Sequence, residues 1–238
     1  MSSRKGRKDA ARVVREHLAR ERRRKRTLWI SIGAVAVLVV AGLIGWSALS
    51  SQGSREFTAP PGATGDGTGI VVGNGPVTID IYEDYLCPAC KQFEQTSGAT
   101  IDKLINDGKV RVVYHPVAYL NRFSSTEYST RASAASGCAA EGGEFHAFGK
   151  ALFDKQPPEN SAGLSNDELI DIGAEVGLNR DSFGACVRDG KFKPWTAHVS
   201  EEATRAKVTG TPTVLVNGQQ VREWTPENIT AAVEAAGR

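Results

Sequence analysis

The residues best suited to chemistry are Cys87 and Cys90, in the run Cys87-Pro88-Ala89-Cys90. Before them, Val77-Thr78-Ile79-Asp80-Ile81-Tyr82 alternates apolar and polar side chains, the period of a half-buried strand. After them, Phe93, Ile101, Leu104 and Ile105 recur at helical spacing as far as the turn signal Asn106-Asp107-Gly108. The two cysteines therefore sit where a strand hands over to a helix. Pro88 suits the first helical position, because the N–H it lacks is one the helix could not pair. Cys87 is left near unpaired backbone N–H groups at the positive end of the helix dipole, and both features favour a thiolate. Cys90 can then attack a mixed disulfide formed at Cys87. The pattern predicts a dithiol/disulfide redox site. The alternatives are a zinc half-site and an inert bridge. Zinc calls for a second ligand pair at close spacing, and the sequence has no second C-x-x-C and no H-x-x-x-H. No metal and no organic cofactor are expected.

The other two of the four cysteines are Cys138 and Cys186. If Cys87 and Cys90 pair with each other, these two are left. In an exported chain they are expected to form a structural bridge, whose loop closure contributes roughly 4 kcal/mol on the chain-entropy account. The alternative is a second redox relay pair, although neither residue has a thiolate-favouring context. His115, His146 and His198 read as structural or surface histidines, and Trp195 and Trp224 as packing residues.

Export is itself a reading of the N-terminus. The net charge of +2 conceals an asymmetry: residues 1–26 hold 12 Lys/Arg against 3 Asp/Glu, and the remainder 17 against 24. A basic block could bind nucleic acid, but the adjoining segment argues otherwise. Leu28 to Leu49 is 22 residues without a charge, roughly 33 Å as a helix and enough to cross a bilayer. Trp29 and Trp46 flank the span, and Arg22 to Arg26 abuts its start, which places that end in the cytoplasm. The expectation is a cytoplasmic basic arm over 1–27, a single-pass membrane anchor over 28–49, a flexible tether over 50–68 and an extracytoplasmic domain over 69–238. A cleaved signal peptide is the alternative, since Ala48-Leu49-Ser50 is a passable cleavage site. The apolar run exceeds the usual signal length, which favours the anchor.

In the exported part, Ile70-Val71-Val72, Gly73-Asn74-Gly75-Pro76 and the Val77–Tyr82 strand read as a hairpin. Val110-Arg111-Val112-Val113-Tyr114 is a strand that can lie parallel to the second through the helix. Five helices are expected around 126–141, 144–154, 166–177, 180–189 and 194–207. Val214-Leu215-Val216 should pair with Gln220-Val221 through Asn217-Gly218. Thr225 and Pro226 open a last helix. The order is β-α-β, a helical insertion over about 124–208, then β-β-α: an α/β thioredoxin fold with an inserted helical domain, preceded by one transmembrane helix.

On this order, together with Glu83-Asp84-Tyr85-Leu86-Cys87-Pro88-Ala89-Cys90 and Gly210-Thr211-Pro212-Thr213-Val214, the chain over about 69–238 resembles the DsbA-like thiol:disulfide oxidoreductases, in their membrane-anchored bacterial form. The resemblance implies Cys87 and Cys90 as catalytic residues. It implies a cis Pro212 beside them, with Pro88, Ala89, Thr211 and Pro212 forming the motif and substrate groove. It further implies oxidation of thiols in exported proteins, with reoxidation by a quinone-linked membrane protein of the DsbB or vitamin K epoxide reductase type. Two departures stand out. Ile81 occupies the position where many relatives carry a buried acid, with Glu83 and Asp84 expected on the rim of the site. Ala89 stands where strongly oxidising members have histidine. A tethered thioredoxin-like reductase, as in cytochrome c maturation, and a non-enzymatic chaperone-like binding module are the alternative readings.

Overall fold

The computed structural model describes residues 57–237. The expected basic arm, anchor and first part of the tether lie outside the described residues; among the described residues no helix is long and apolar enough to cross a membrane. The elements are β1 (Ile70–Gly73), β2 (Val77–Glu83), α1 (Pro88–Asn106), β3 (Val110–Pro116), α2 (Tyr128–Glu141), α3 (Phe145–Asp154), α4 (Asn166–Glu175), α5 (Arg180–Asp189), α6 (Lys193–Arg205), β4 (Thr213–Val216), β5 (Gln219–Gln220) and α7 (Pro226–Ala236). They form one five-stranded sheet in the order β1-β3-β2-β4-β5. β2 and β3 run parallel through α1, from Val77 opposite Val110 to Glu83 opposite Pro116. β4 lies antiparallel on the other edge of β2. This is a thioredoxin fold with five helices, α2–α6, inserted between β3 and β4.

The expected β1–β2 hairpin does not form. β1 pairs antiparallel with β3, Ile70 opposite Tyr114 and Gly73 opposite Arg111. Both edges of β2 are already taken by β3 and β4, so β1 has no place beside it. The Gly-Asn-Gly-Pro segment instead carries the chain past the start of β3. Gly73 has φ +85°, and a Cβ on Gly75 would stand 2.2 Å from the Val110 nitrogen. Glycine is required there for passage of the backbone, not for a tight turn.

The insertion is held by local signals and by one covalent bond. Ser165 and Glu168 make a reciprocal capping box at the start of α4, and the Asn179 side chain caps α5. Cys138 of α2 is bonded to Cys186 of α5. α2 is built mostly of small residues, and Ala132, Ala135 and Ala139 are completely or almost completely buried. It also ties the insertion to the sheet, because Ser133 Oγ donates to the Pro116 carbonyl at 2.6 Å.

Residues 57–68, which composition places in the tether, pack onto the fold. Phe57 stacks on His198 at 4.1 Å. His198 Nε2, Trp195 Nε1 and His115 Nδ1 reach the carbonyls of Asp66, Gly67 and Thr68 at 2.9, 2.8 and 2.7 Å. This segment is held by its backbone acceptors, which composition does not register.

Candidate active site

Strand β2 and helix α1 set the position of the cysteines. Cys87 is the N-cap of α1, with extended backbone at φ −76° and ψ 117° and no capping bond from its own side chain. Its N–H donates to the Asp84 carbonyl at 2.9 Å, and its carbonyl accepts from Cys90 N and Lys91 N at 3.1 and 3.2 Å. Pro88 follows at the first helical position. Cys87 and Cys90 are free thiols. The Cys90 side chain is wholly buried and Cys87 is 7% exposed. The Thr211–Pro212 peptide is cis, and in its thiol form Cys87 Sγ donates to the Thr211 carbonyl at 3.4 Å. The insertion thus returns the chain so that β4 begins beside the motif, and Cys87, Cys90, Thr211 and Pro212 share one site.

The two sulfurs are electrostatically unequal. A hydrogen bond from the Cys90 thiol draws the Cys87 pKa down to about 6, against the effect of burial, with help from Thr211 and the N–H groups of Cys90 and Ala89. Burial, followed by the bond it gives to Cys87 and the charge there, pushes Cys90 well above the ordinary thiol range. A site of this kind has one nucleophilic sulfur at neutral pH and one that keeps its proton.

Glu83 and Asp84 are not on the rim. Glu83 is 4% exposed and Asp84 is fully buried. Asp84 accepts from Leu86 N and Leu120 N, both at 2.9 Å, so it shapes the turn before Cys87 and pins the segment after β3 against it. Burial raises its pKa. Glu83 continues the buried face of Val77, Ile79 and Ile81, and lines a small cavity with Tyr85, Glu94, Tyr114 and Lys150. Burial first, and then the Glu94 carboxylate, push it well above the usual carboxylate range. Burial thus disfavours the charged form of both acids, more strongly for Glu83 than for Asp84, whose carboxylate keeps its backbone hydrogen bonds. The period-two pattern carried one residue further would have found Glu83; nothing in the local sequence marks Asp84. Gln156, from the segment after α3, also reaches this turn and has no sequence signal.

A family model described as thioredoxin matches residues 66–235. The chain belongs to the thioredoxin family. Among solved structures of similar proteins, reduced DsbA from Mycobacterium tuberculosis is 33% identical to this thioredoxin-family chain, with a TM-score of 0.61, covering 77% of this chain and 89% of that one. The reduced disulfide bond oxidoreductase DsbG of the same organism is 34% identical, with a TM-score of 0.62, covering 77% of this chain and 84% of that one. The serine/threonine-protein kinase PknE of Mycobacterium tuberculosis is 34% identical over 159 residues, which are 61% of this chain. The chain spans 28% of the length of that kinase.

Proposed function

We propose that the protein is a thiol:disulfide oxidoreductase that introduces disulfides into exported proteins through Cys87 and Cys90. The observation that carries the reading is the opposed ionisation of the two sulfurs, about 6 for Cys87 and well above the thiol range for Cys90. In the oxidised enzyme a substrate thiolate attacks Cys87 Sγ. The Cys87–Cys90 bond breaks, a mixed disulfide forms on Cys87, and Cys90 leaves as a thiolate that takes a proton from solvent. A second substrate thiolate attacks the substrate sulfur of the mixed disulfide. Cys87 leaves as a thiolate, which its surroundings favour, and the substrate has lost two electrons to the enzyme. Thr211 and Pro212 lie where an extended substrate segment would pass beside Cys87.

Reoxidation then requires an electron acceptor, which we place in the membrane as a quinone-linked protein of the DsbB or vitamin K epoxide reductase type. The uncharged 28–49 span supports an anchored enzyme with its catalytic domain outside the cytoplasm.

The test is oxidation of a reduced, unfolded protein with two cysteines, in a glutathione buffer. The wild-type protein should accelerate disulfide formation, Cys87→Ser should not, and Cys90→Ser should accumulate a mixed disulfide on Cys87. Equal rates with wild type and Cys87→Ser would refute the reading.

A further inference from the structure

The turn before Cys87 is clamped by a side chain from outside the thioredoxin core. Gln156 lies just past the end of α3 at Asp154, within the helical insertion. Its Nε2 donates to the Tyr85 carbonyl at 3.0 Å and to the Cys87 carbonyl at 2.9 Å. Both partners can only accept, so the amide nitrogen must face them, and its two N–H bonds are matched by two acceptors. Tyr85 is 1% exposed, and no other donor to its carbonyl is found among the described residues. Without Gln156 that oxygen would be buried and unpaired, which is unfavourable. The Cys87 carbonyl already accepts the first bonds of α1 from Cys90 N and Lys91 N. Gln156 thus reaches the residue at which the turn becomes the helix.

We infer that Gln156 is a positioning residue for exchange at Cys87: its carboxamide clamps the carbonyls on either side of Leu86, and so fixes the turn that aims the Cys87 sulfur and joins it to the insertion. The inference rests on the proposed exchange chemistry at Cys87. The geometry has two consequences. The partial negative charges of two carbonyl oxygens in the turn that carries Cys87 are balanced by N–H groups, which favours ionisation of Cys87. The orientation of Cys87 also becomes dependent on the insertion, because the clamp belongs to it.

The experiment is titration of the Cys87 thiolate by its ultraviolet absorbance in the reduced full-length protein, for wild type, Gln156→Met, Gln156→Glu and Gln156→Lys. Methionine has similar length and no N–H; glutamate, when ionised, offers acceptors only; lysine keeps donors. The midpoint should rise in Gln156→Met, which removes both N–H donors to the turn. It should rise further in Gln156→Glu and stay at or below the wild-type value in Gln156→Lys. Reaction of the wild type and variants with a small disulfide should follow the same order near neutral pH. A purely structural role would lower thermal stability and leave the midpoint of the folded variants unmoved; that result, in Gln156→Met and Gln156→Glu together, overturns the inference. A wild-type enzyme that proves to be a reductant would remove the oxidase reading but leave these shifts intact, so the two failures are distinguishable.

Discussion

At the scale of residues, the site works through unequal surroundings for like groups. Cys87 and Cys90 are three positions apart, yet one is the N-cap of α1 and the other is buried in its first turn. Glu83 follows the same logic in reverse. Its folded pKa is raised by burial, and next by Glu94, so folding favours its protonated form. That contribution is present below the pKa of an unfolded glutamate and is lost as pH rises toward the folded value. Glu83→Gln should therefore stabilise the protein, with a gain that is small near pH 4 and grows toward neutral pH. Thermal or denaturant unfolding across that range checks it; a gain independent of pH would mean that Glu83 is ionised in the fold. The placement of Cys87 and Cys90 at a helix start was legible in the sequence because motif and helix terminus coincide in four residues. Asp84 and Gln156 were not, because their partners are backbone groups of Leu86, Leu120, Tyr85 and Cys87, and backbone groups carry no sequence signature.

At the scale of elements, local signals served well wherever they were chemical. Thr225 caps α7, with Pro226 at its first turn, and all five insertion helices fall within a few residues of their expected spans. The misread hairpin failed for a different reason: strand partnership depends on which edges remain open once β3 and β4 have docked on β2. The Cys138–Cys186 bond belongs to this scale. It joins α2 to α5 across a sequence separation of 48, far from the motif in the chain, and so acts on the insertion. Cys138→Ala/Cys186→Ala should lose on the order of a few kcal/mol of stability while keeping some thiol-oxidising activity. Unfolding curves together with the oxidation assay test this; complete loss of activity at unchanged stability would point to a relay role.

At the scale of the whole molecule, the question is where electrons come from and go. The basic arm and uncharged span predict that a reporter fused after residue 60 is active only outside the cytoplasm, and that the chain stays with membranes through a carbonate wash. A soluble species beginning near residue 51 would indicate cleavage instead. The direction of flow depends on the same sulfur chemistry. With a pKa of about 6, Cys87 is roughly nine-tenths thiolate at pH 7. Stabilising the thiolate stabilises the dithiol form relative to the disulfide and makes the disulfide the better oxidant. Glu83, held toward its neutral form by burial, does not oppose this. Ala89 supplies no cation above the sulfur, so a moderate oxidant is expected. The most direct test is the equilibrium of the Cys87–Cys90 pair against glutathione, with unfolding of the oxidised and reduced forms measured alongside. The account predicts a potential above that of thioredoxin, about −270 mV, and a reduced form that is more stable than the oxidised one. A potential at or below that value, with the oxidised form more stable, would contradict it and make the protein a tethered reductase.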